Sequence, residues 1–308
     1  MNPIAQTTIA ALGAGNTGAS FAYSLLLSGF NPRILIVDPE QKKAEEQALD
    51  LQQAMIFSHP HEVRAASMAE VARAGIIVIC GVEKQKEEGA SELLRRNLNL
   101  IEQAAVEIAG ANPHAVLLVG AAPVDLLTYA AWKTTGLPRS QVIGAGTIAE
   151  TATLRYLLGK HFRVDPQSVH AYVLGGNGGR FPVWSSATIA GMYITEVCKA
   201  HGCPPSVLQA LFNQVRDRMA DPEHPGAREF SAGAGLSRLA AAVLRNENHV
   251  FSISTVLQKQ YGLNNVALSV PAVIGEKGID RILRIELNDE EVAELLFCGQ
   301  KIAESIDA

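Results

Sequence analysis

Gly13-Ala14-Gly15-Asn16-Thr17-Gly18 is the stretch on which the fold turns. It follows an apolar run, Thr7 to Leu12, and opens Ala19 to Ser28, where apolar residues recur at helical spacing. A GxGxxG pattern between a strand and a helix carries a mechanism. The first glycine permits a tight turn, the second lets the backbone approach a pyrophosphate, and the third lets helix pack closely on strand. Helix amides, in a turn that includes Asn16 and Thr17, then point at the phosphates. Asp38, 20 residues after Gly18, ends the next strand-like run, Arg33 to Val37. A carboxylate there accepts both ribose hydroxyls and repels a 2′-phosphate, which predicts NAD in preference to NADP. FAD also fits the glycine pattern, but no further flavin signal accompanies it.

Outward from the motif, short runs alternate with longer helical stretches: Val63 to Ala66, Ile76 to Cys80, Ala115 to Val119 and Gln141 to Gly144, with Leu93 to Ala109 helical between them. Several runs are apolar throughout, as expected of parallel strands covered on both faces. The predicted fold is α/β, a Rossmann doubly wound parallel sheet over residues 1–146. Gly81, Val82 and Gly120 are assigned to the same cofactor site. Past Gly146 the rhythm changes to long helices, a strand-like His170 to Leu174, and a hairpin-like pair, Val266 to Val273 and Gly278 to Ile285. This predicts an α+β domain over 147–308. Asn288, with Glu291 three residues on, signals the start of the last helix. Asp221 to Gly226 reads as a surface loop.

Composition narrows the partners. A net charge of -5 and a pI near 5.9 leave no basic excess for nucleic acid. The longest apolar runs fall far short of the ~20 residues that cross a bilayer. The start, MNPIAQTTIAALGAG, has no charged region ahead of an apolar one, so a cytoplasmic protein is expected. Cys80, Cys198, Cys203 and Cys298 show neither CxxC pairing nor matching histidines, and no metal site is predicted.

The chain resembles the L-lactate/malate dehydrogenase family over nearly its whole length. The matching stretches include Gly13 to Ser20, Pro123-Val124-Asp125, Gly146-Thr147-Ile148, His170-Ala171-Tyr172, Pro182-Val183-Trp184-Ser185, Asn246-Glu247-Asn248 and Pro271-Ala272-Val273-Ile274. The resemblance implies a Rossmann domain, a catalytic domain, a small-molecule substrate and a homodimer or homotetramer. It also implies positions for the chemistry, and there the residues differ. The family's acid/base histidine falls on Asn177, within Gly175-Gly176-Asn177-Gly178-Gly179. The carboxylate that orients it falls on Glu150, and the arginine that grips the substrate carboxylate falls on Thr153. In the family's closing loop, Glu83 to Ser91 here, an arginine position falls on Ala90 or Ser91, with Gln85 counted in the substrate pocket. A pocket asparagine falls on Ala122 and a pocket threonine on Ala240. Arg155 and His170 match positions that, in the bacterial lactate dehydrogenases, bind the phosphate of fructose 1,6-bisphosphate across a subunit contact.

Losing a general acid/base costs ~10²- to 10⁴-fold in rate, and removing the partner of a buried carboxylate costs ~3–5 kcal/mol. Lactate and malate chemistry is therefore expected to be absent. Two functions follow as expectations: an NAD-dependent oxidoreductase with a changed substrate, or a catalytically silent NAD-binding sensor or assembly protein. Small residues at Gly176, Ala122, Thr153 and Ala240 suggest an enlarged pocket and favour the first. Glu150 is the expected proton carrier, and Arg180 near the pocket rim is a candidate to replace the lost grip on a carboxylate. With Thr153 neutral and Glu150 anionic, the local field is expected to favour a neutral or cationic reacting group.

Overall fold

The glycine turn joins β1 (Thr8–Leu12) to α1 (Asn16–Leu27) in a computed structural model that describes residues 8–30, 32–58, 62–83, 85, 88–109, 111–176, 179–204, 206–220 and 228–307. The chain continues through β2 (Arg33–Val37), α2 (Gln41–Ala54), β3 (Glu62–Ala65), β4 (Ile76–Ile79), α3 (Ala90–Ile108), β5 (Val116–Val119), α4 (Val124–Thr135) and β6 (Val142–Gly144). These six strands run parallel in the order β3-β2-β1-β4-β5-β6. The order reverses between β1 and β4, which opens a crevice at the strands' carboxyl ends.

Alternate residues of each strand face opposite ways, so one apolar run feeds two cores. Ile9, Ile34, Ile36 and Val78 face α1, whereas Leu12, Leu35, Ile77 and Ile79 face α3 and α4. That is why β4 and β5 read as apolar throughout: every one of their positions is buried.

The second half contains α5 (Ile148–Phe162), β7 (Val169–His170), β8 (Val173–Gly176), β9 (Gly179–Pro182), β10 (Thr188–Ile189), β11 (Met192–Tyr193), α6 (Ile194–Ala200) and α7 (Ser206–Ala220). There follow α8 (Glu229–Leu244), β12 (His249–Gln258), β13 (Asn264–Gly275), β14 (Gly278–Ile282) and α9 (Asp289–Asp307). Antiparallel β12 pairs with β6 through Ser254 and Gly144, so one sheet runs on through β13, β8 and β9. The hairpin read from the sequence is β13 with β14, its second arm ending at Ile282.

Two readings need correction. His170 to Leu174 is not one strand: β7 joins a small sheet with β10 and β11, and β8 joins the main sheet, with Ala171 and Tyr172 between them. Strand β12 went unread because its apolar pattern is interrupted by Ser252, Ser254 and Thr255. The loop Asp221 to Gly226 lies outside the described residues. No helix among the described residues is long and apolar enough to cross a membrane.

Candidate active site

Gly13 has φ +104°, and a Cβ there would lie 2.0 Å from the Gly81 carbonyl oxygen. A Cβ on Gly18 would lie equally close, 2.0 Å, to the Gly13 oxygen. The protein's own backbone thus demands glycine at both positions. Gly15 differs, because a Cβ there would meet nothing nearer than 3.5 Å. Its open face looks onto the start of α1, which has no side-chain cap and no acidic residue in its first turn. The unpaired amides and positive end of the helix dipole fit a pyrophosphate. Asp38 accepts from the Ala14 amide at 2.7 Å and the Glu40 amide at 2.8 Å, which fixes its carboxylate at the end of β2. The Asn16 amide group donates to Glu229 at 2.8 Å, tying the turn to α8.

A cavity of about 330 Å³ continues from this turn between the two halves, lined among others by Thr17, Gly81, Val82, Gly120, Ala122, Glu150 and Arg180. Asn97, missed by sequence reasoning, shapes it from below: it is buried, accepts from the Val82 amide at 2.9 Å and donates to the Ala122 carbonyl at 3.4 Å. Its only sequence signal was a polar residue on the buried face of α3.

Beyond Glu150 and Arg180 opens a chamber of about 570 Å³, whose wall includes Phe181, Phe212 and Val215. The two charged residues stand in the wall common to both cavities. Glu150 lies in the first turn of α5, and pairing of Gly176 with Gly179 sets Arg180 opposite Gly175. Arg180 Nη1 then sits 2.9 Å from Glu150 Oε1, with the carboxylate side chain 7% exposed. Arg180 Nε is buried with no hydrogen-bond partner among the described residues. The expected field of a lone Glu150 anion is therefore corrected: a guanidinium neutralises it.

Other assigned positions lie elsewhere. Thr153 turns its hydroxyl back to the Ala149 carbonyl at 2.9 Å, and Ala240 is fully buried in the core. A Cβ on Gly176 would lie 2.5 Å from an Asp125 oxygen. The smallness of Gly176 and Ala240 thus accommodates the protein itself, which removes the argument for an enlarged pocket there. Gln85 lines a separate cavity of about 150 Å³ beside Asp38 and Lys43, not the chamber. Arg155 is half-buried and donates to the Gln167 carbonyl at 3.2 Å, while His170 is exposed on β7. Asn177 lies outside the described residues.

A glycine turn aimed at phosphates, a sheet reversing beside it, and a cleft leading to a paired acid and base define a Rossmann protein built for dinucleotide-dependent chemistry. Its two halves match two family profiles: the lactate/malate dehydrogenase NAD binding domain at residues 7–144, and the lactate/malate dehydrogenase alpha/beta C-terminal domain at residues 149–308. The chain belongs to the lactate/malate dehydrogenase family, and its cofactor is NAD. It is 34% identical to L-lactate dehydrogenase 1 of Clostridium acetobutylicum, covering 98% of each chain. Against the L-lactate dehydrogenase of Acetivibrio thermocellus it is 36% identical, covering 97% of this chain and 96% of that one. Among solved structures, the MGS-M5 lactate dehydrogenase from a Medee basin deep-sea metagenome library superposes with a TM-score of 0.90 at 30% identity, covering 98% of both chains. The minor L-lactate dehydrogenase of Enterococcus mundtii gives 0.90 at 28% identity, with the same coverage.

These relatives overturn the expectation of a function outside lactate or malate dehydrogenation. Side chains taken one by one do not disclose that Arg180 and Glu150, 30 residues apart in the chain, stand 2.9 Å from each other.

Proposed function

We propose that the chain catalyses NAD-dependent, reversible hydride transfer at C2 of a small 2-oxo or 2-hydroxy acid, as the names of its relatives suggest. The observation that carries this reading is the Glu150–Arg180 pair in the wall between cleft and chamber. In this proposal the chain lacks the family's histidine and substrate arginine, at Asn177 and Thr153, and the pair takes over their roles. Arg180 grips the substrate carboxylate: one side of its guanidinium holds Glu150, and the buried Nε has a hydrogen still to donate. Glu150 accepts the proton that the substrate hydroxyl loses when C2 is oxidised, and returns it in the reverse direction. The bound cofactor supplies or accepts the hydride.

Residues 1–146 hold the cofactor, with Gly13, Gly15, Asn16, Thr17 and Gly18 around the pyrophosphate, Asp38 on the ribose, and Gly81, Val82 and Gly120 along the nicotinamide side. Residues 147–308 hold the substrate. The protein works in the cytoplasm as a homodimer or homotetramer, with Arg155 and His170 as an anion site at a subunit contact. Light scattering at micromolar concentration checks the assembly, and a monomer would refute it.

The test of the reaction is NADH oxidation with pyruvate and oxaloacetate, compared with Glu150→Gln and Arg180→Lys. Loss of the proton carrier is expected to lower kcat by ~10²-fold or more. Arg180→Lys keeps the charge beside Glu150 but loses the fork, so kcat/KM is expected to fall ~10-fold or more while the protein stays folded. Intact NADH binding with no turnover of any 2-oxo acid would overturn the proposal.

A further inference from the structure

The end of α6 brings two cysteines together. The Cys203 amide donates to the Cys198 carbonyl at 2.9 Å, and the Gly202 amide to the Lys199 carbonyl at 3.1 Å, with Gly202 at φ +65°. This crossed pair of bonds is the Schellman arrangement, which folds the residue after the left-handed glycine back over the helix residue five positions earlier. Here those two residues are Cys203 and Cys198. They share an apolar cluster, and Cys203 is close enough to act on Cys198, whose thiol is pushed above the ordinary range first by burial and then by Cys203.

A third group comes from another element. His161, exposed in the last turn of α5, places Nε2 3.5 Å from Cys203 Sγ. Phe162 holds this corner, packing edge-on against both the His161 ring, 4.8 Å between centroids, and the His201 ring, 5.6 Å. Cys203 is half-buried, so a small solute reaches its sulfur, whereas Cys198 is buried beneath it. A partly exposed thiol beside an imidazole is the environment of reactive cysteines. The remaining thiols stand apart: burial pushes Cys80 up to about 12, and Cys298, also chiefly by burial, up to about 11. None of these groups belongs to the site described above.

We propose that Cys203 and Cys198 form a reversible oxidative modification site for hydroperoxides, with His161 as the base that makes Cys203 the attacking sulfur. His161 takes the Cys203 proton. The thiolate attacks one peroxide oxygen, so an S–O bond forms as the O–O bond breaks, and the departing hydroxide recovers the proton from His161 as water. The Cys198 thiol then displaces the second hydroxide from the Cys203 sulfenic acid. The S–S bond forms, the S–O bond breaks, and the Cys198 proton leaves with that hydroxide as a second water. Two thiols lose two electrons and one peroxide gains them. A dithiol reductant reverses the change.

The experiment exposes the full-length protein to hydrogen peroxide, alkylates it under denaturing conditions and maps the peptides by mass spectrometry. The expected product is a Cys198–Cys203 bridge, lost on treatment with dithiothreitol, while Cys80 and Cys298 remain alkylatable. Cys198→Ser should leave Cys203 as a sulfenic acid captured by dimedone, and Cys203→Ser should abolish the bridge. His161→Gln, at an exposed position, should slow Cys203 alkylation by iodoacetamide ~10-fold at neutral pH and remove the imidazole inflection from its pH profile. A bridge through Cys80 or Cys298, or a parent protein whose Cys203 oxidises without ever joining Cys198, would overturn the site. An unchanged rate and pH profile in His161→Gln would overturn the role of His161.

Discussion

Two glycines with left-handed backbones separate conformational need from crowding. Gly29 has φ +75° with nothing within 4 Å of an added Cβ, while Gly13 has φ +104° and a carbonyl oxygen 2.0 Å away. Gly29→Ala should cost only the ~1–2 kcal/mol of a left-handed alanine. Gly13→Ala should cost distinctly more and weaken NADH binding, since relief requires moving the strand end that carries Gly81. Thermal melts and fluorescence titration with NADH check both variants, and equal melting points would refute the distinction. At the other end of the motif, Asp38→Ser removes a negative charge from the proposed ribose site. The preference for NADH over NADPH should narrow, read as the ratio of their dissociation constants.

Single elements show what a sequence exposes and what it hides. The start of α9 was legible because its signal is local: the Glu291 amide donates to Asn288 Oδ1 at 2.9 Å, and Glu291 returns the bond by accepting from the Asn288 amide at 3.1 Å. Glu291 also accepts from the Ser185 amide at 3.0 Å and hydroxyl at 2.5 Å, contacts that no local pattern announces. Asn288→Ala should therefore cost ~1 kcal/mol, the ordinary value of a lost cap. Glu291→Ala should cost more, because it also strips Ser185, and melting curves of the two variants check the order. Arg180 and Glu150 illustrate the limit from the other side: each was visible as a residue, yet their pairing depends on how β9 is set against α5. A further element, the helical turn after β3, makes a pH prediction. Arg64, 2.6 Å from Glu70, holds its carboxyl down at about 2, helped by the Ser67 amide. A depressed carboxylate stabilises the fold above its ordinary value of 4.5 and loses that contribution as pH falls toward about 2. Arg64→Ala should raise the pH of the acid-unfolding midpoint, followed by far-ultraviolet circular dichroism.

At the scale of the molecule, the parallel and antiparallel parts of the sheet meet at one seam, where β6 pairs with β12. Polar residues that disguised β12 in the sequence are what fasten it. Ser254 donates to Asp125 Oδ1 at 2.6 Å, and Ser252 and Thr151 share a hydrogen bond of 2.9 Å, all four being buried. Their partners lie 129 and 101 residues away, and Asp125 belongs to the other half, so the polarity of Ser254 makes sense only once both halves are assembled. The Rossmann half also gives α1 to α8 across a contact so close that a Cβ on Gly233 would lie 2.5 Å from the Phe21 amide nitrogen. One of the main core clusters belongs to both halves, since α8 residues Leu236 and Leu239 share it with Ile9 and Phe21. The whole chain should then unfold in one transition, with secondary structure and NADH binding lost together. Ser254→Ala removes a buried bond to a carboxylate at the seam and should cost ~1–3 kcal/mol. It should lower the midpoint of both signals equally, because the seam belongs to both halves. Separate midpoints in the parent, or a shift in one signal only, would show that the sheet is continuous in geometry but not in energy.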